Sequence, residues 1–104
     1  MAVELKTDQN FSESLEGNEK VVVKYFADWC GSCRLFGPKF RRMSEDSRFS
    51  EVTFLDVNAE NSPEARKLAG VTNLPFFATF KNGELVSGVS TSKEEVVFEM
   101  INAL

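Results

Sequence analysis

Apolar positions along the chain fall into short continuous runs and helix-spaced series, and their order predicts a mixed strand and helix architecture. Val3-Glu4-Leu5 reads as a short strand. Between Asp8 and Glu16, Phe11 and Leu15 stand about one helical turn apart, and Gly17 marks where that helix would stop. Val21-Val22-Val23-Lys24-Tyr25-Phe26 is β-branched and aromatic and, apart from Lys24, apolar on both faces. That pattern suits a strand in the middle of a covered sheet. Phe36, Phe40 and Met43 recur at i, i+4 and i+7, so a helix should begin at or just before Cys33 and pass through Pro38, which should kink it.

Val52-Thr53-Phe54-Leu55-Asp56-Val57 is a second buried strand. Ser62 then reads as the cap of a short helix with Pro63 at its first position and its end at Gly70. Phe76 to Lys81, Asn82-Gly83 and Glu84 to Val89 form the signature of a hairpin with a two-residue type I′ turn. The last element is a helix capped by Thr91 or Ser92, with Glu94 or Glu95 three residues on, presenting Val96/Val97, Met100/Ile101 and Leu104 to one side. Parallel crossovers followed by an antiparallel hairpin define an α/β sheet. With no repeat, linker or low-complexity stretch, residues 1–104 are read as a single domain.

Composition narrows the classes of function. The chain has 12 basic and 16 acidic residues, a formal charge of −4, two cysteines and no histidine. Without an imidazole, neither a Ser-His-Asp nor a Cys-His nucleophile can be assembled, and the usual His-containing zinc and non-haem iron sites are excluded. The acidic balance and the lack of a Lys/Arg cluster along the sequence argue against nucleic acid as a partner. Hydrophobic residues make up 42%, more than a disordered chain carries, and no apolar run approaches the ~18 residues of a membrane span. The start, Met1-Ala2-Val3-Glu4-Leu5-Lys6-Thr7-Asp8, lacks the basic and apolar stretches of a secretory signal, so a cytoplasmic location is expected. In that compartment two cysteines are not expected to serve as a structural bridge.

The chemistry centres on Trp29-Cys30-Gly31-Ser32-Cys33, where a buried strand ends and a helix starts. Unsatisfied N–H groups and the positive helix end favour thiolate over thiol, so Cys30 is the expected nucleophile. Cys33, one turn further in, is expected to be less accessible and to attack the mixed disulfide formed by Cys30. A zinc site would need further ligands that the chain lacks, and haem attachment would need a histidine where Arg34 stands. Two inert buried cysteines remain the alternative.

Phe26-Ala27-Asp28-Trp29-Cys30-Gly31-Ser32-Cys33-Arg34, Pro38, Asn73-Leu74-Pro75 and Phe80-Lys81-Asn82-Gly83-Glu84 together resemble the thioredoxin family, in its order and near its spacings. The resemblance implies a thioredoxin fold: a central mixed five-stranded sheet flanked by four helices, with the CxxC at the N-terminus of a kinked helix. It implies a cis Leu74–Pro75 bond facing the cysteines, where a proline leaves no N–H beside the sulfurs. It also implies that Trp29, Gly31, Ser32, Leu74 and Pro75 form a substrate-docking rim, with the Leu74 backbone free to pair with an extended segment. An ordinary strand-starting Pro75 and a Trp29 that caps the core are the alternatives. By the same resemblance, a monomer would act on disulfide-containing proteins, draw electrons from a thioredoxin reductase and need no bound organic or metal cofactor.

Three departures stand out. Ser32 replaces the family's common proline between the cysteines; its N–H or hydroxyl can hydrogen-bond the Cys30 thiolate, which should make the couple more oxidising. The family's buried acid is replaced by Lys24, and the lysine near it by Asp56, as though the charges were exchanged between two strands. An interstrand Lys24–Asp56 pair, or Asp56 alone, is expected to relay the Cys33 proton while Lys24 lowers the thiol pKa. Lys24 carrying its ammonium out to solvent is the alternative. Third, Phe76 follows the proline where the family has Thr, and the role of Gly88 is open.

A dithiol–disulfide oxidoreductase that reduces protein disulfides is the leading expectation. A thioredoxin-like binding module with incidental redox activity is the alternative from another class, and an isomerase or oxidant keeps the chemistry with its direction reversed.

Overall fold

The two apolar runs read as buried strands lie side by side in the computed structural model, which describes residues 3–104; Met1 and Ala2, which open the segment read for a signal, lie outside the described residues. In chain order the elements are β1 (Glu4–Lys6), α1 (Phe11–Glu16), β2 (Lys20–Phe26), α2 (Gly31–Ser44), β3 (Val52–Asn58), α3 (Pro63–Ala69), β4 (Phe76–Lys81), β5 (Glu84–Ser90) and α4 (Glu94–Asn102). β1 and β2 flank β3 in parallel, while β4 pairs antiparallel with β2 and β5, giving one mixed sheet in the order β1-β3-β2-β4-β5. A five-stranded mixed sheet with four α-helices is the fold expected.

Alternation along β2 sorts the core into two layers. Val21, Val23 and Tyr25 pack with Phe11, Leu15, Ala65 and Ala69, so α1 and α3 cover one face. Val22 packs with Phe36, Phe40, Met43, Phe77, Val97 and Ile101, so α2 and α4 cover the other. Phenylalanines dominate this second layer, with the Phe40 ring 5.2 Å from Phe54 and 5.7 Å from Phe77. Lys24 shares the parity of Val22 and therefore enters an aromatic layer beneath α2. On the opposite face Tyr25 donates to the Ala65 carbonyl at 2.9 Å, and burial pushes its phenol pKa up.

Both hairpin residues take the left-handed conformation a type I′ turn demands, Asn82 at φ 53° and Gly83 at φ 83°. Gly88 sits within β5 opposite Ala78, and a Cβ there would come within 3.0 Å of the Phe76 ring. Its lack of a side chain thus makes room for the large residue that follows Pro75.

Several boundaries depart from the sequence reading. Helix α1 starts at Phe11 rather than Asp8. The Asp8 carboxylate is engaged elsewhere, accepting from the N–H groups of Glu64 at 3.0 Å and Ala65 at 2.9 Å. Asp8, not Ser62, therefore caps α3; Ser62 holds the cap position, but its buried hydroxyl has no hydrogen-bond partner. Helix α4 follows Lys93, and Thr91 Oγ1 accepts from the Lys93 N–H at 3.0 Å in a turn before the helix instead of closing a capping box. β1 runs one residue later than expected, while β3 and β5 each continue one residue further. Pro38 lies inside α2, and Gly70 closes α3 in the left-handed conformation. Among the described residues no helix is long and apolar enough to cross a membrane.

Candidate active site

Beyond β2 the chain turns so that the Cys30 N–H bonds to the Ala27 carbonyl at 3.1 Å, leaving Cys30 as the N-cap of α2. In that position its Sγ accepts the Cys33 N–H at 3.2 Å, the cap interaction that serine or aspartate oxygens usually provide. The helix end therefore points one of its free donors at the sulfur. Cys30 and Cys33 are joined as a disulfide with their Cα atoms 5.3 Å apart. Cys30 is 5% exposed and Cys33 2%, so the order of accessibility is the one expected. Ser32 Oγ lies 3.8 Å from Cys30 Sγ, and because a disulfide sulfur carries no hydrogen, the hydroxyl is the donor.

The predicted docking residues gather around this pair. Leu74–Pro75 is cis, and Leu74 packs against Ala27, Cys30 and Cys33. Trp29 is 68% exposed, which rules out a role as a core cap, and its Nε1 donates to Glu60 Oε2 at 2.6 Å. Glu60 had no local signal in the sequence, since it stands 31 residues from Trp29 and reaches it only through the loop after β3. Gly31 is exposed, with open space where a Cβ would stand.

Lys24 and Asp56 are cross-strand partners in the β2–β3 register, with Nζ 3.5 Å from Oδ1. Lys24 does not carry its charge to solvent: it is 6% exposed, and Nζ lies 5.6 Å from the centre of the Phe40 ring and 5.9 Å from that of Phe26. Asp56 keeps an exposed edge, although its Oδ1 is buried without a hydrogen bond. Burial raises its carboxyl pKa above the usual range, and the positive charges of Lys24 and Arg41 pull it back part of the way. A cavity of about 370 Å³ brings Lys24, Asp56 and Gly37 together with Cys30, Cys33 and Arg34. A largely buried charge pair and both cysteines thus line one space. Among the described residues no group of three or more His, Cys, Asp and Glu side chains is placed to hold a metal ion.

The family model described as Thioredoxin matches residues 2–103. Thioredoxin of Homo sapiens is 32% identical over 106 residues, covering 100% of this chain and 99% of its own. Thioredoxin-1 of Schizosaccharomyces pombe is 33% identical over 89 residues, 86% of this chain and 84% of its own. Among solved structures, thioredoxin f from spinach chloroplast superposes with a TM-score of 0.90 at 25% identity, covering 98% of this chain and 92% of that one. A chain from the complex of ferredoxin:thioredoxin reductase and thioredoxin f2 shares the fold with a TM-score of 0.89 at 23% identity, covering 98% of this chain and 94% of that one. With near full-length agreement in sequence and fold around a paired Cys30 and Cys33, the chain belongs to the thioredoxin family and is a thiol–disulfide oxidoreductase that reduces protein disulfides.

Proposed function

We propose that Cys30 attacks and Cys33 resolves, with Lys24 and Asp56 managing the proton between them. The Cys30 thiolate attacks one sulfur of a substrate disulfide, breaking that bond and releasing a substrate thiolate that takes a proton. Cys33 then loses its proton and attacks Cys30 Sγ. The Cys30–Cys33 bond forms, the second substrate thiolate leaves, and two electrons have passed to the substrate. The observation that carries this reading is the shared cavity: the ion pair Lys24–Asp56 lines it together with Cys30 and Cys33. Lys24 favours the thiolate by direct attraction, and Asp56, directly or through solvent admitted by the cavity, accepts the Cys33 proton.

Trp29, Gly31, Ser32, Leu74 and Pro75 form the docking rim, on which an extended substrate segment pairs with the Leu74 backbone. The whole chain acts as one monomeric domain of the cytoplasm. It serves redox homeostasis by carrying electrons from a thioredoxin reductase to disulfide-bearing proteins; a reductase partner is in keeping with the complex of ferredoxin:thioredoxin reductase and thioredoxin f2.

Because burial holds the Asp56 carboxyl above the usual range, its basic form appears only as the pH climbs past that range, and resolution should accelerate with it. Single-turnover reduction followed against pH should show that rising limb in the parent and lose it in Asp56→Asn, while Lys24→Met should move the thiol limb to higher pH. Profiles superimposable on the parent's would remove both residues from the mechanism. Ser32 offers a separate test. Equilibration with glutathione should show that Ser32→Pro is more reducing than the parent, since the variant loses the N–H and the hydroxyl that Ser32 can offer the Cys30 thiolate and keeps only the Cys33 N–H. An unchanged or higher potential in the variant would contradict the role given to Ser32.

A further inference from the structure

Helix α2 carries Arg34, Lys39, Arg41 and Arg42 and, from Gly31 to Ser44, no acidic residue. The chain has 12 basic and 16 acidic residues, so outside this helix the balance is 8 − 16 = −8. Along the sequence Leu35, Phe36, Gly37 and Pro38 separate Arg34 from Lys39-Phe40-Arg41-Arg42; the helix brings all four onto its solvent side. Among the described residues none of the four has a carboxylate within the 4.0 Å that defines the pairs Lys6–Glu4, Lys24–Asp56 and Arg48–Asp46.

Helical geometry places Gly31, Leu35, Pro38 and Arg42 in one line down the solvent face, with Arg34 and Arg41 on one flank and Lys39 on the other. That line begins beside Cys30 and ends about 16 Å away at ~1.5 Å per residue. Leu35, 76% exposed, stands in the middle of it, and Trp29 is exposed at its head. Arg34 is fixed at the cysteine end, its Nη2 donating to the Asp28 carbonyl at 2.6 Å. Helix stability accounts for Arg41 and Arg42, since cations suit a C-terminal turn, but not for Arg34, whose charge near the N-terminus opposes the helix dipole.

We propose that this face of α2 is a docking surface for an acidic protein segment bordering the target disulfide, so that the chain selects disulfides by the charge beside them. The inference rests on the dithiol reading above and names the substrate class for it. Unpaired cations contiguous with the redox site raise the local concentration of negatively charged targets and steer their approach. A protein partner is favoured over nucleic acid because the chain as a whole is acidic and the line of charge contains an exposed leucine and runs into the cysteine site.

The test is single-turnover reduction by the pre-reduced protein of three synthetic peptides that share one disulfide loop followed by four Glu, four Gln or four Lys. At low salt the Glu peptide should react ~10-fold faster than the Lys peptide, and the gap should close to ~2-fold at high salt as the charges are screened. Lys39→Gln/Arg42→Glu should slow the Glu peptide ~5-fold and leave the Gln peptide unchanged, which also shows that the variant is folded. Equal rates for the three peptides at low salt, or equal losses on Glu and Gln peptides in the variant, would overturn the inference. So would single-stranded RNA that slows all three peptides alike, since the face would then belong to nucleic acid. Failure to reduce any of the peptides would instead overturn the dithiol reading, and the inference with it.

Discussion

A Cys33→Ser protein mixed with a disulfide-bearing substrate such as insulin should stop halfway and remain attached to it through Cys30. In the parent, the Cys33 sulfur is tethered one helical turn from the attacked bond, with the two Cα atoms 5.3 Å apart. Its attack is intramolecular and well oriented, an advantage worth effective concentrations of ~10⁵ M or more in favourable cases. A serine hydroxyl cannot attack a disulfide under these conditions, so release falls to external thiols and the mixed disulfide should outlive the parent's by at least ~10³-fold. Non-reducing mass spectrometry should find an adduct equal to the sum of the two chains that disappears with dithiothreitol. Cys30→Ser should give none, because the remaining cysteine, Cys33, is only 2% exposed. Adducts formed equally by both variants would show that the order of attack is wrong.

Breaking the Lys24–Asp56 pair should destabilise the protein, and the two ways of breaking it should differ. Asp56→Asn leaves a cation that is 6% exposed among aromatic rings without a counter-charge. Removing one partner of a buried pair costs ~3–5 kcal/mol, and this variant should fall in that range. Lys24→Met should cost less, since Asp56 keeps an exposed edge and, with burial already raising its pKa, takes up a proton more readily than an ordinary carboxylate once it is left alone. Replacing both by apolar residues of similar volume should recover most of the loss, as no charge is then left unpaired. For a domain of this size 1 kcal/mol moves Tm by ~4–8 °C, so thermal or urea unfolding resolves these differences easily. Equal stability of Asp56→Asn and the parent would mean that Lys24 finds solvent, contrary to its burial.

The features legible in the sequence were those set by residues close in the chain. Valine-rich runs marked the central strands, Asn82-Gly83 fixed its own turn, and the junction of a strand with a helix singled out Cys30 as the expected nucleophile. Longer-range matters needed the resemblance or the coordinates. The Lys24–Asp56 pairing was readable because both positions depart together from the family's pattern, and a parallel register then places them opposite each other. The α3 cap was misassigned because Asp8 competes for the same N–H groups from 56 and 57 residues away, beyond any local rule. The α4 cap failed differently: Thr91 bonds two residues on, a local alternative that the same side chain always offers. Glu60 on Trp29 and the unpaired cations of α2 are products of folding, visible only once loops and helix faces are assembled.

The central claim is that Cys30 and Cys33 turn over protein disulfides rather than merely shaping a binding surface. Insulin reduction with dithiothreitol as electron donor, followed by precipitation of the freed B chain, tests it in one assay when the parent is run beside Cys30→Ser. The parent should shorten the lag and multiply the rate, and Cys30→Ser should be indistinguishable from dithiothreitol alone. A parent no faster than Cys30→Ser would contradict the claim and leave the exposed rim of Trp29 and Leu74 as a binding module with inert cysteines.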